Sequence, residues 1–224
     1  MQVQNSLPPP VSVSQPIKVG IVDDYGVVRA GLERLLARYS DMRLVATADN
    51  GRDAVDMVAT HKIDVLILDI AMPEESAVDV MERLVAAAPD VQILIFSGYP
   101  EQQYALPMIR LGARAYVDKA SPLQEIVEAV RAVAAGRTHF SPRVHALLAA
   151  AAQGDNVEAG LGLTAREFQI FLRLAAGETV TQIAAALSLS DVTISSHRSR
   201  LLKKLKLSTN SHLTRYAIEN HFIG

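Results

Sequence analysis

Several short apolar stretches of this chain end on groups that can handle a charged phosphoryl group. "IVDD" ends on Asp23 and Asp24, and "VLILD" runs from Val65 to Asp69. "ILIFS" ends on Ser97, and "AYVDK" on Asp118 and Lys119. A run as apolar as Val65-Leu66-Ile67-Leu68 does not end on an aspartate cheaply, because burying an unpaired carboxylate is costly. Clustered carboxylates such as Asp23, Asp24 and Asp69 repel one another, and a cation among them relieves that repulsion. A hard divalent ion with oxygen ligands, Mg²⁺ above all, suits the set. Asp69 can then serve as a carboxylate nucleophile toward phosphorus. Such transfer depends mainly on neutralising charge on the phosphoryl oxygens. Mg²⁺ supplies that on one side and Lys119 on the other, with Ser97 as a hydroxyl donor. Taken singly, each aspartate reads as a turn or cap residue, Lys119 as a solvated lysine and Ser97 as a turn. The ordered set carries the chemical reading.

The elements that must position these groups are legible as an alternation. β-type runs "KVGIV", "RLVAT", "DVLILD", "QILIFS" and "AYVD" are followed by helical-period segments near 25–38, 51–60, 76–88, 101–111 and 122–135. Five strands alternating with five helices predict an open parallel α/β sheet over 17–136. The third and fourth strands are apolar nearly throughout, as for strands covered on both faces. In such a sheet ligands sit beyond the carboxyl ends of the strands, where strand order reverses. That places the five chemical groups on one rim.

Residues 1–16 read as a disordered Pro/Ser tail, and 137–160 as a short Ala/Leu helix followed by a linker. From 161 to 224 the pattern is purely helical. The chain has 224 residues, 50% of them hydrophobic, enough for real cores. There are no cysteines, hence no disulfide framework and no thiolate metal site. The N-terminus lacks the features of a signal peptide, and no apolar run approaches a membrane span. A soluble cytoplasmic protein without membrane contact is expected. The net charge of −2 hides an asymmetry: residues 1–160 carry 14 Lys/Arg against 20 Asp/Glu, and residues 161–224 carry 8 against 4. An acidic front and a basic back suggest two domains with different partners.

The basic part has clear punctuation. Thr164 with Glu167 forms a capping-box signature opening a helix with an apolar face of Phe168, Phe171, Leu172 and Ala175. A second helix near 179–187, the turn "SLS", a third helix near 191–206 capped by Ser190, and a last helix near 209–221 follow. Helix, short turn, capped helix is the helix-turn-helix pattern. Periodicity assigns Val192, Ile194, Leu201, Leu202 and Leu205 to the packed side of the third helix, with a structural His197 at its border. The open side shows Thr193, Ser195, Ser196, Ser199 and Arg200, with Lys203, Lys204 and Lys206 toward the end. A basic, hydroxyl-rich face suits phosphate contact and major-groove reading.

"VDD", "LDIAMP", "FSG" and "VDK", in this order, resemble the receiver domain of two-component response regulators. The resemblance implies a flavodoxin-like five-stranded receiver in which a partner histidine kinase phosphorylates Asp69. It implies that Asp23, Asp24, Asp69 and the carbonyl of Ala71 hold Mg²⁺. Ser97 and Lys119 would contact the phosphoryl group, and Tyr116 matches the switch aromatic that turns inward with Ser97. "LTARE" and "QIAAALSLSDVTISSHRSRLLKKL" are similar to the DNA-binding domain of LuxR-type regulators. By that resemblance Thr193, Ser195, Ser196 and Ser199 face DNA, and Arg198, Arg200, Lys203 and Lys204 contact its backbone. The whole chain resembles the NarL/FixJ subfamily. That implies promoter DNA as target, a homodimer on DNA or when phosphorylated, and RNA polymerase as a further candidate partner. At rest, the receiver either masks the output helices or fails to dimerise.

Some residues depart from the pattern. Ala77 stands where a glycine is usual, and is strained only if that position needs φ > 0. Ala120 follows the lysine in place of the frequent proline, as is common in this subfamily. Pro107 falls inside the fourth helix, where it removes a hydrogen bond and kinks or shortens the helix. Ser195 replaces a lysine common in relatives. Two alternatives stand beside the main reading. One is a receiver that regulates by docking alone. The other is a Mg²⁺-dependent phosphohydrolase, disfavoured because Ala71 occupies the place of its second carboxylate and no cap segment is evident.

Overall fold

The computed structural model of the protein describes residues 15–72, 77–152, 163–220 and 222–223. Most of the tail, Pro73 and the end of the linker therefore lie outside the described residues.

The alternation folds as the sequence predicts. The strands are β1 (Ile17–Val22), β2 (Met42–Ala48), β3 (Val65–Leu68), β4 (Gln92–Ser97) and β5 (Ala113–Asp118). Between and after them run α1 (Gly26–Leu36), α2 (Gly51–Thr60), α3 (Ala77–Ala87), α4 (Glu101–Arg110) and α5 (Leu123–Ala134). All pair in parallel, in the order β2-β1-β3-β4-β5. Strand order reverses between β1 and β3, which puts the ligand crevice at their carboxyl ends. Val22 lies opposite Leu68 in that pair, so Asp23 and Asp69 leave the sheet side by side.

Strand alternation divides the core. Ile21, Ile67, Leu94 and Phe96 face α1 and α5, whereas Leu66, Leu68 and Ile95 face α2, α3 and α4. Gly20 in β1 has a packing reason: a Cβ there would meet Ile63 Cδ1 at 2.8 Å. Ala77 opens α3 without a positive φ, so its substitution for glycine carries no backbone strain. Helix α4 runs unbroken through Pro107 to Arg110. The proline is buried, and its ring is compatible with the helix even though its nitrogen cannot donate.

After β5, His139 adds an isolated bridge to Ala115, and the expected Ala/Leu helix is α6 (Pro142–Ala152). It lies on α4, with Val144 fully buried. The C-terminal part comprises α7 (Ala165–Ala175), α8 (Val180–Ala186), α9 (Asp191–Lys204) and α10 (Asn210–Glu219). Thr164 and Glu167 complete the predicted capping box, and Thr179 with Gln182 forms a second one on α8. Such caps contribute about 1 kcal/mol each. The α8–α9 turn passes through Ser188 at φ 53°. Leu189 donates to the Ala184 carbonyl at 2.9 Å across it, a left-handed helix ending that lets α9 leave sharply.

The core on the α2–α4 side continues without a break into the C-terminal helices. Tyr104 of α4 stands at the junction. Its ring meets Phe168 edge-on at 5.2 Å and lies 5.7 Å from Phe222, and its hydroxyl donates to the Phe222 carbonyl at 3.2 Å. Around this apolar centre are polar latches. Arg110 donates to the Leu163 carbonyl at 2.7 Å, and Arg173 pairs with Asp79 at 2.6 Å. The fully buried Gln169 also bonds Asp79.

Candidate functional site

The rim of the sheet gathers the predicted groups. Asp23 and Asp69 are each 1% exposed, Ser97 is fully buried, and Asp24 is half-buried. Oxygens of Asp23, Asp24 and Asp69 lie within 4.8 Å of one another. Lys119 reaches in from the end of β5, with Nζ 2.7 Å from Asp69 Oδ2 and 2.8 Å from Asp23 Oδ2. The backbone fixes this arrangement. Asp69 N donates to the Val22 carbonyl at 2.8 Å, and Lys119 N to the Ser97 carbonyl at 3.0 Å. Ala71 N donates to Asp69 Oδ1 at 2.9 Å, and Tyr25 N to Asp23 Oδ1 at 2.9 Å. Arg29, which carried no signal in the sequence, clamps the Asp23 carbonyl.

The electrostatics are those of an anionic pocket held by one ammonium. Burial pushes the Asp23 carboxyl above its ordinary value, against hydrogen bonds from Lys119 and the Tyr25 amide. Burial also disfavours the Lys119 ammonium, but its bonds to Asp23 and Asp69 outweigh this and raise its pKa. Its charge is further steadied over the rings of Tyr25 and Phe96 at 5.6 and 5.9 Å. Asp23 Oδ2 has the Lys119 ammonium beside it at 2.8 Å, and Asp24 Oδ1 is buried with no hydrogen-bond partner among the described residues. Acceptor oxygens left over beside three convergent carboxylates are what a hard divalent cation takes up. The donor set fits such an ion.

Tyr116 is 2% exposed, its ring inside, and its hydroxyl donates to the Tyr99 carbonyl at 2.8 Å. Tyr99 N in turn donates to Ser97 Oγ at 3.2 Å, and the Tyr99 ring stacks on Tyr104 at 4.6 Å and 9°. The aromatic contacts thus lead from the acidic pocket to the junction with the C-terminal helices. The sequence pointed to Tyr116 but not to Tyr99 or Tyr104. Nothing local to either reveals its stacking partner.

On α9 the structure sorts the predicted contacts. Ser195, Ser196, Ser199, Arg200, Lys203 and Lys204 are exposed, and Thr193 is partly so. Arg198 turns away from that face: its Nε donates to Asn210 Oδ1 at 2.6 Å and ties α9 to the start of α10. Lys204 reaches back to Glu167 Oε2 at 2.6 Å. Burial opposes ionisation of Glu167, yet the bonds from Lys204 and the Thr164 amide prevail and lower its pKa. Val192, placed by periodicity on the packed side, is instead 75% exposed. It lies about 200° around the helix from Ile194, at about 100° per residue. His197 is half-buried, with Nδ1 unpartnered; burial and the nearby Arg200 lower its pKa, consistent with a structural imidazole. Among the described residues, the receiver meets the C-terminal part through α7, Leu163 and Phe222, and none of them covers the exposed side of α9.

Comparison with known proteins agrees with this architecture. Residues 19–131 match the response regulator receiver domain, and residues 161–217 match the luxR family of bacterial regulatory proteins. The oxygen regulatory protein NreC of Staphylococcus carnosus is 31% identical over 92% of this chain and 99% of its own. Response regulator GacA of Pseudomonas aeruginosa is 30% identical over 92% of this chain and 98% of its own. RcsB from Salmonella enterica serovar Typhimurium, solved bound to promoter rprA with phosphomimetic BeF3−, shares the fold at TM-score 0.69 and 19% identity, over 92% of this chain and 99% of RcsB. Among the described residues no helix is long and apolar enough to cross a membrane. With both domains matched in order over most of its length, the chain belongs to the response regulators that join a receiver domain to a LuxR-type helix-turn-helix DNA-binding domain.

Proposed function

We propose that Asp69 is the phosphoryl acceptor of this regulator, and that its phosphorylation by a histidine kinase controls binding of α9 to promoter DNA. The observation that carries the reading is the buried Asp69 carboxylate, framed by Asp23, Asp24 and Lys119 at the strand-order reversal. A carboxylate oxygen of Asp69 attacks phosphorus, the bond from phosphorus to the kinase imidazole nitrogen breaks, and the departing nitrogen takes up a proton from water. Asp23, Asp24, Asp69 and the Ala71 carbonyl would hold Mg²⁺, which when bound neutralises phosphoryl charge. Lys119 now sits on Asp69 Oδ2; on transfer its ammonium moves to a phosphoryl oxygen, and the Ser97 hydroxyl turns to another.

The phosphoryl group adds about −1.5 to −2 charge. Drawing Ser97 toward it pulls on Tyr99, which Tyr116 and Tyr104 hold. Strain at Tyr99 is thus felt where Tyr104 meets Phe168 and Phe222. Since no described residue of the receiver covers the exposed side of α9, control acts through release and pairing of the output domains. One helix-turn-helix reads few base pairs, and dimers place two such helices on paired half-sites. In this reading the protein works in the cytoplasm, where promoter DNA lies.

The test is fluorescence anisotropy on a duplex selected by the protein from a random pool. Acetyl phosphate with Mg²⁺ should tighten wild-type binding at least about tenfold, or 1.4 kcal/mol, and leave Asp69→Asn unchanged. Equal affinity with and without phosphorylation would favour a receiver that regulates by docking alone.

A further inference from the structure

On the proposed DNA-binding reading, we infer that α9 reads an A·T base pair, with Val192 packed against the thymine 5-methyl group. Val192, Ser195, Ser196, Ser199 and Lys203 follow one another at i, i+3, i+4, i+7 and i+11, and all are exposed. They form one stripe along the helix. Val192 is the sole apolar side chain on it and is 75% exposed. A lone surface valine is ordinary; this one stands in the first turn of the recognition helix, in line with the residues that meet base edges. Its orientation is fixed. Ser190 caps the helix through the Thr193 amide at 3.1 Å, and Thr181 of α8 donates to Asp191 Oδ2 at 2.8 Å.

The hydroxyls of the stripe point the same way. Ser196 Oγ donates to the Val192 carbonyl at 2.9 Å, and Ser199 Oγ donates to the Ser195 carbonyl at 3.0 Å. A serine hydroxyl has one proton and two lone pairs. With the proton engaged inside the helix, each presents an acceptor outward. In the major groove the donors are adenine N6 and cytosine N4, and the apolar group is the thymine methyl. An A·T pair offers a donor and a methyl group together. Guanine is read by the forked contact of an arginine or lysine to O6 and N7. The stripe has only Lys203, at its far end, and Arg200 lies to the side with Nε near the Ser196 carbonyl.

The experiment uses the full chain with acetyl phosphate and Mg²⁺, and a duplex that it selects from a random pool. Each thymine in turn is replaced by deoxyuridine, which removes only the 5-methyl group. One position per half-site should weaken wild-type binding about fourfold, the worth of one buried methyl group. Val192→Ala should bind the thymine duplex more weakly, and should lose the difference between thymine and uracil there. Its melting temperature serves as the control for folding. Thymine and uracil bound equally at every position, or the same discrimination in Val192→Ala, would overturn the inference while leaving DNA binding intact. Failure to select any duplex would instead overturn the DNA-binding reading on which it rests.

Discussion

Tyr104→Ala should separate the two domains while leaving each folded. The Tyr104 ring is 1% exposed, stacked on Tyr99 on the receiver side and set against Phe168 and Phe222 on the other. Truncating a buried aromatic costs about 3–5 kcal/mol, and here much of that loss falls on the contact between domains. The hydroxyl bond to the Phe222 carbonyl, worth about 1 kcal/mol, goes with it. Among the described residues, the polar contacts that remain include Arg173–Asp79, Arg110–Leu163 and Gln169–Asp79. Contacts between domains of one chain resemble transient interfaces, and partly exposed ion pairs add little. Small-angle scattering should therefore show a larger radius of gyration than wild type, and calorimetry two transitions in place of one. Because coupling is reciprocal, the rate of phosphoryl uptake should change too. A variant as compact as wild type, with an unchanged uptake rate, would show that Tyr104 is filler and not the hinge of the junction.

Phe168→Ala should act on the other side of the same contact and with a different outcome. Phe168 is fully buried and touches the rings of Tyr104, Phe171 and Phe222. It is a core residue of a small helical domain. A loss of about 3–5 kcal/mol rivals the roughly 5–10 kcal/mol that holds a domain of this kind together. The C-terminal helices should melt at a much lower temperature, followed by circular dichroism, and DNA binding should fall with them. The receiver has its own two-sided core, and its phosphoryl uptake should persist. Loss of uptake in Phe168→Ala would mean that the receiver does not stand alone. The two variants together distinguish a contact that couples domains from one that builds a domain.

The sheet was legible because its residues are locally consistent. Val65 to Leu68 is apolar without interruption, as a strand covered on both faces must be, and it ends on Asp69 where the structure puts the crevice. Asp23, Ser97 and Lys119 could be placed from the same strand-end logic, and the capping signature at Thr164 and Glu167 marked the start of α7 correctly. What the sequence hid are pairings made across the fold. Nothing around Tyr104 indicates Phe222, and nothing around Asp79 indicates Arg173. Lys204 reads as a free phosphate contact until Glu167 is seen beside it, and Arg198 until Asn210 is. Val192 is a different case. Two residues before Ile194 is about 200° around the helix, so a packed-side assignment that included both could not hold for Val192, which is exposed. A proline within α4 suggested a kink or a shortened helix, and the helix continues through Pro107 to Arg110.

The central claim is that Asp69 accepts the phosphoryl group, and intact mass tests it most directly. Purified protein incubated with acetyl phosphate and Mg²⁺ should gain the mass of one phosphoryl group. The gain should vanish without Mg²⁺, because Asp23, Asp24 and Asp69 then lack the counter-charge that the transfer needs. It should also vanish in Asp69→Asn. A gain of the same size in Asp69→Asn would place the phosphoryl group elsewhere, and no gain in a folded, Mg²⁺-binding wild type, with a partner kinase also supplied, would contradict the account.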